Sequence, residues 1–175
     1  GQTPLPPMPE NDHAFERRSI PEDGEYTPNP PAPFVELGLA TCFSFLRGAS
    51  DAVDLATTAW AQGYDQLGCA DINSFAGAVR HYTHAKSVNI RPITGTRIAL
   101  ITGDTFLAYP RDRASYGRLC ALISKGRMRD PDGAWQAKGV CDLTLDDVAT
   151  HTKDCILIDS LQIQDVRQPS VEFSR

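Results

Sequence analysis

Residues 67–81, LGCADINSFAGAVRH, carry a short apolar run into a single carboxylate, Asp71. Asn73 and Ser74 follow, a good helix start, and then an apolar helical stretch. Strand, acid, helix is how α/β proteins present a catalytic or metal-binding group, because the acid sits at the carboxyl end of a strand. One carboxylate is not enough. A hydrolytic metal site needs three or more nitrogen, oxygen or sulfur donors around an open position. His81 and His84 share one helical face but lie two to three turns past the strand end, so a solvated face is expected for them. His151 falls in a polar helical stretch and His13 in a proline-rich segment. Ser44 and Ser74 lack a nucleophile elbow. No glycine-rich phosphate cradle occurs. Between Arg111 and Arg129 stand six cations (Arg111, Arg113, Arg118, Lys125, Arg127 and Arg129) against one acid, Asp112. They are candidate contacts for DNA phosphates or an acidic partner. The plainer reading is a solvated helix whose cations suit its C-terminal dipole.

The elements that position these groups follow from the pattern. The 175 residues are 41% hydrophobic and 22% charged, enough for one domain with a real core. The net charge of −5 argues against a generic nucleic-acid binder. No apolar run is long enough to span a membrane, and GQTPLPPMPE lacks the basic and apolar regions of a signal peptide. Five widely spaced cysteines without zinc-type pairing read as reduced thiols, which points to a cytoplasmic setting.

Residues 1–33 hold nine of the thirteen prolines and are expected to form a flexible or extended arm. Residues 34–160 should form the folded domain and 161–175 a polar tail. FVELGLA reads as a strand. A helix capped by Ser50 should run to about Gln62, with Val53, Leu55, Ala56, Ala59 and Trp60 as its apolar members. QLGCA is a buried strand. The helix from Asn73 or Ser74 to about Lys86 should bury Phe75, Val79 and Tyr82. Residues 90–94 form a strand, and 97–101 with 105–109 a hairpin around Gly103-Asp104. A helix starts at Asp112, with Tyr116, Leu119, Cys120, Leu122 and Ile123 on its apolar face. Thr144 with Asp147 resembles a capping box, and residues 155–158 are a last strand. Strands alternating with helices indicate a mainly parallel sheet, open or partly curled into a barrel.

Several of these stretches also share a family likeness. FVELGLATCFSFLRGAS, DINSFAGAVRHYTHAK, PITGTRI and YPRDRASYGRLCALISKG resemble, in order, the PHP (polymerase and histidinol phosphatase) domain of bacterial C-family DNA polymerases, the DNA polymerase III alpha subunits. The last block is most similar to the error-prone branch that works in translesion synthesis. The resemblance runs from about Phe34 to about Ile158. It implies a distorted seven-stranded β/α barrel, of which this chain would hold a partial, incomplete version. It also implies metal ligands for phosphoester hydrolysis: His-x-His ending the first strand, Asp-His the second, and a Glu on the strand after. Here these fall on Gly38 and Ala40, on Asp71 and Ile72, and on Arg97. Gly, Ala and Ile offer no lone pair, and Arg97 repels a cation. The resemblance therefore implies a degenerate site with no metal, no cofactor and no catalytic residue, in which Asp71 and Arg97 form an ion pair.

The expected function is a catalytically silent module of an error-prone polymerase, or of a protein derived from one, acting in DNA replication, damage repair and translesion synthesis. The palm, fingers and thumb are missing, so the chain itself should not polymerise DNA. Expected partners are the polymerase body, other translesion proteins and DNA through the basic helix. An incomplete barrel leaves strand edges unpaired, so a homodimer, or the arm folded over the open edge, is expected. The alternatives are a residual phosphoesterase using His81, His84 or His151, and a stand-alone scaffold of the same ancestry.

Overall fold

The computed structural model describes residues 29–160, apart from 32, 46 and 129–134. Most of the proposed arm, the whole tail and Arg129 lie outside the described residues. The elements run β1 (Glu36–Leu39), α1 (Ala52–Ala61), β2 (Gln66–Ile72), α2 (Ala78–Ser87), β3 (Arg91–Ala99), β4 (Thr105–Pro110), α3 (Arg113–Met128), α4 (Leu145–His151) and β5 (Cys155–Asp159). They build a mixed α/β fold on one five-stranded sheet, ordered β1-β2-β3-β4-β5. β1, β2 and β3 pair in parallel through helical crossovers, and β4 is antiparallel to both its neighbours. Four of the five strands thus point one way, an open sheet that fits part of a β/α barrel.

The sheet has two faces, and residue parity decides which side chain goes where. On β2, Leu67 faces the helices, joining Ala56, Ala59, Ala85, Val88 and Ile90 in one buried cluster. On the same side further along, Ile98 and Ala108 pack with Leu119, Leu122, Leu143 and Val148. The alternate residue, Ala70, joins Leu107 and Tyr109 on the other face, flanked by Leu37, Ile93 and Ile158. That second face is the concave one. Gly95 belongs to it, and a Cβ there would stand 2.4 Å from the Tyr109 ring.

Local chemistry explains most boundaries. Asp51, not Ser50, caps α1 by accepting from Val53 N–H at 3.0 Å. The Thr144–Asp147 capping box opens α4 as expected. Asp112 and Ser115 play the same part at α3, with Ser115 N–H donating to Asp112 Oδ1 at 2.7 Å. The two expected strands across residues 90–101 are one continuous β3, and the hairpin turn lies at Leu100–Asp104, where Gly103 takes φ +94°. α2 begins later than its cap-like residues suggest. Asn73 adopts φ 44°, the chain turns through residues 74–77, and helix starts only at Ala78.

The buried face of α2 also differs from expectation. Ala78, His81 and Ala85 are buried, whereas Val79 and Tyr82 are exposed. Two alanines lie on that face because α1 and α2 pack against each other over the sheet, and His81 is the one large side chain buried among the three. Leu119 is fully buried at the centre of the α3 cluster. Leu119→Ala is expected to lower stability by about 3 kcal/mol, seen as a reduced urea midpoint at unchanged slope.

Candidate functional site

The carboxyl ends of β1, β2 and β3 open into a cleft of about 680 Å³. Its wall includes Ile72, Arg97, Arg127 and three residues of the loop after β1, namely Phe43, Phe45 and Arg47. Asp71 is not on that wall. It is 1% exposed and faces the helices, in phase with Leu67. Its carboxylate accepts from Thr41 N–H at 2.8 Å, from Thr41 Oγ1 at 2.9 and 3.0 Å, and from Ser44 Oγ at 2.7 Å. Ser44 Oγ in turn accepts from Ile72 N–H at 3.0 Å. The loop after β1 is thereby fastened to the end of β2. Gly77 completes the fit, since a Cβ there would stand 2.5 Å from Asp71 Oδ2. Gly48 closes the other end of the loop, where a Cβ would meet the Thr41 carbonyl oxygen at 2.1 Å.

The expected Asp71–Arg97 ion pair is not formed, and register explains why. Asp71 is level with Thr96, while Arg97 is level with Ile72, so the two side chains leave opposite faces of the sheet. Arg97 reaches across the concave face, donating through Nη2 to the Gly38 carbonyl at 3.3 Å and through Nη1 to Ser160 Oγ at 3.1 Å. Gly38 leaves the space for it: a Cβ there would stand 3.2 Å from Arg97 Nη2. The structure thus brings Gly38 and Arg97 into contact, with Ile72 beside Arg97, and sets Asp71 apart.

Nor do the histidines gather. His81 is fully buried rather than solvated, and neither ring nitrogen has a hydrogen-bond partner among the described residues. Burial pushes its pKa down to about 4, against a weaker opposing pull from the Asp71 charge, so the ring is neutral. His84 Nε2 lies 3.0 Å from Thr57 Oγ1, and His151 Nδ1 lies 2.8 Å from the Asp147 carbonyl. Among the described residues, no group of three or more His, Cys, Asp or Glu is placed to hold a metal ion. The donor set at the mouth does not fit the metal centre that the family implies.

Two cations of the basic helix are in ion pairs. Arg118 bridges Asp154 at 3.0 Å, and Lys125 bridges Asp147, whose acidity it strengthens to a pKa of about 2. Arg111 and Arg113 are exposed at the start of α3. Arg127 turns away toward the cleft, donating to the Asn73 carbonyl at 2.7 Å. All five cysteines are free; Cys69 is buried, and burial, with Asp71 nearby, pushes its thiol up to about 12. Sequence reasoning weighed Ser44 only as a nucleophile. The hydroxyl-rich loop TCFS, facing one acid, was the available sign of a latch.

A five-stranded, mostly parallel open sheet with a loop-built mouth at its strand ends fits part of a β/α barrel. The PHP domain profile matches residues 36–161, and the chain belongs to the PHP domain family. It is similar to the error-prone DNA polymerase of Caulobacter vibrioides, 44% identical over 124 residues, covering 70% of this chain and 11% of that one. The error-prone DNA polymerase of Bradyrhizobium diazoefficiens is 39% identical over 135 residues, covering 74% of this chain and 12% of that one. That of Rhodopirellula baltica is 38% identical over 120 residues, covering 69% and 10%. The chain therefore spans about a tenth of the length of these relatives. No helix among the described residues is long and apolar enough to cross a membrane.

Two outcomes follow. Asp71→Ala strands the Thr41 amide and two hydroxyls, and is expected to cost about 2–4 kcal/mol and to speed hydrogen exchange at the Thr41 amide. Asp71→Asn, which keeps an acceptor for Thr41 N–H, should cost less. His81 makes stability fall in acid. Its folded pKa lies below its ordinary value, so the unfolded chain binds the proton first as pH falls. Stability present above pH ~6.5 is lost as pH drops toward the folded value, by about 2 kcal/mol between pH 7 and pH 5. Urea titrations at both pH values should show that loss, and His81→Leu should remove most of it.

Proposed function

We propose that this chain is the PHP module of an error-prone C-family DNA polymerase, or of a protein descended from one, and that it is catalytically silent. Its work is structural. It supports a polymerase body or offers contacts to other proteins of translesion synthesis and DNA repair, in the cytoplasm. One observation carries this reading. The positions that the resemblance assigns to metal ligands are Gly38, Ala40, Ile72 and Arg97, which offer no lone pair for a cation, and Asp71, which is spent as a latch. A dication about 4 Å from a guanidinium costs about 8 kcal/mol at an effective dielectric near ~20, with no lone pairs to repay it. The relatives' names support the setting, since each is an error-prone DNA polymerase over most of this chain.

The partner surface follows from the sheet. β1 and β5 are its outer strands, and Ile156 and Leu157 on β5 are 47% and 41% exposed. An apolar edge strand left open among the described residues is a place for another segment or a second copy to pair.

The reading is tested by metal analysis and by phosphodiester hydrolysis with added Mn²⁺ or Zn²⁺. Substoichiometric metal and no turnover are expected. One bound metal per chain, or turnover abolished by chelation and restored by metal, would contradict it.

A further inference from the structure

We propose that the groove between α1 and α2, on the helix side of the sheet, is a docking site for the chain's own acidic, proline-rich segment, residues 1–28. These residues lie outside the described ones. This goes beyond the silent reading of the mouth and does not depend on it.

The chain arrives where the groove begins. Asn29 N–H donates at 3.1 Å to the carbonyl of Ala61, the last residue of α1. Gly63 makes that close passage possible, since a Cβ there would stand 2.4 Å from the Pro30 carbonyl oxygen. α1 links β1 to β2 and α2 links β2 to β3, and all three strands are parallel, so both helices finish at the same end of the sheet. Residue 28 is therefore handed over at the shared carboxyl ends of the two helices. α1 has ten residues, a rise of about 15 Å. About five extended residues cover that distance, so residues 22–28 are long enough to traverse the groove.

The groove itself is about 310 Å³, lined by Val53 of α1 and by Val79, Arg80, Thr83, His84 and Ser87 of α2. Among the described residues Val79 is 76% exposed, and Tyr82, one turn on, is 48% exposed. Their spacing marks an apolar stripe, yet the sheet takes the opposite face of α2, that of Ala78, His81 and Ala85. A further segment laid over α2 gives the stripe a partner.

Charge selects the occupant. α2 holds Arg80, His84 and Lys86 and no acid. Residues 1–28 hold six acids (Glu10, Asp12, Glu16, Glu22, Asp23 and Glu25) against Arg17 and Arg18, a formal charge of −4 out of the −5 of the whole chain. The path sets the order of contact. Glu22, Asp23 and Glu25 lie closest in sequence to the point of arrival and meet the α2 cations, while Arg17 and Arg18 follow toward Asp51 and Asp54 at the start of α1. Phe15, Ile20 and Tyr26 supply apolar side chains for the stripe. Pro21 and Pro28 favour extended backbone, which docks in grooves at low ordering cost. The tether makes the contact intramolecular, at an effective concentration of about 1 mM, so weak pairing suffices.

The test is the rate of trypsin cleavage after Arg17 and Arg18 in the intact chain, each form measured beside a free peptide of its own residues 1–28. Cleavage in the intact chain is expected to be about tenfold slower than in the peptide, because the docked segment must open before it is cut. Val79→Glu should bring the rate close to that of the peptide. Neutralising the arm with Glu22→Gln, Asp23→Asn and Glu25→Gln together should speed cleavage severalfold, as should salt at about 0.5 M. The second variant changes only the arm, so the test stands even where Val79→Glu disturbs the fold. Ile101→Glu, exposed in the turn between β3 and β4, should leave the rate unchanged. Cleavage of the intact chain at the peptide's rate, no acceleration in either groove or arm variant, or equal acceleration in Ile101→Glu would overturn the proposal. Protection that grows with protein concentration over a roughly hundredfold range would also overturn it, and would assign the groove to a second copy of the chain.

Discussion

The arrangement of the mouth depends on one buried carboxylate and what it holds. Asp71 gathers the Thr41 amide, the Thr41 hydroxyl and the Ser44 hydroxyl, and Ser44 passes the connection on to the Ile72 amide. Thr96 Oγ1 donates to the Asp71 carbonyl and ties in β3. Gly77 lets the start of α2 approach the same carboxylate. Four segments are thereby fixed around one negative charge. A buried carboxylate without a cation is tolerable only when donors converge on it, as they do here.

That commitment has a consequence for chemistry. In a sheet, neighbouring residues on one strand serve opposite faces. Asp71 serves the helix side, so Ile72 and Arg97 are left on the cleft wall. At this mouth, at the carboxyl ends of the parallel strands, Arg97 and Arg127 bring fixed positive charge and Ile72 offers no lone pair.

Much of this was legible in the sequence. Alternation and capping chemistry located most of the elements: the Thr144–Asp147 capping box opens α4 as expected, and the helix expected from Asp112 is α3. What failed were judgements that need a third dimension. Val79 and Tyr82 looked like core, yet close helix packing put Ala78, His81 and Ala85 inside. Asp71 and Arg97 looked like partners, but strand register, which no single strand reveals, sends them to opposite faces. The α3 cations were weighed as DNA contacts or as a solvated helix face, and acids distant in sequence, Asp147 and Asp154, pair with two of them, Lys125 and Arg118. The family likeness identified the positions at the mouth, and the register then separated Asp71 from them.

Anomalous diffraction from crystals soaked in Mn²⁺ or Zn²⁺ tests the central claim most directly. The account predicts no anomalous peak within the cleft bounded by Ser44, Ile72 and Arg97, with Asp71 still bonded to Thr41 and Ser44. A peak there ligated by three or more protein side chains, with Arg97 swung away, would contradict it.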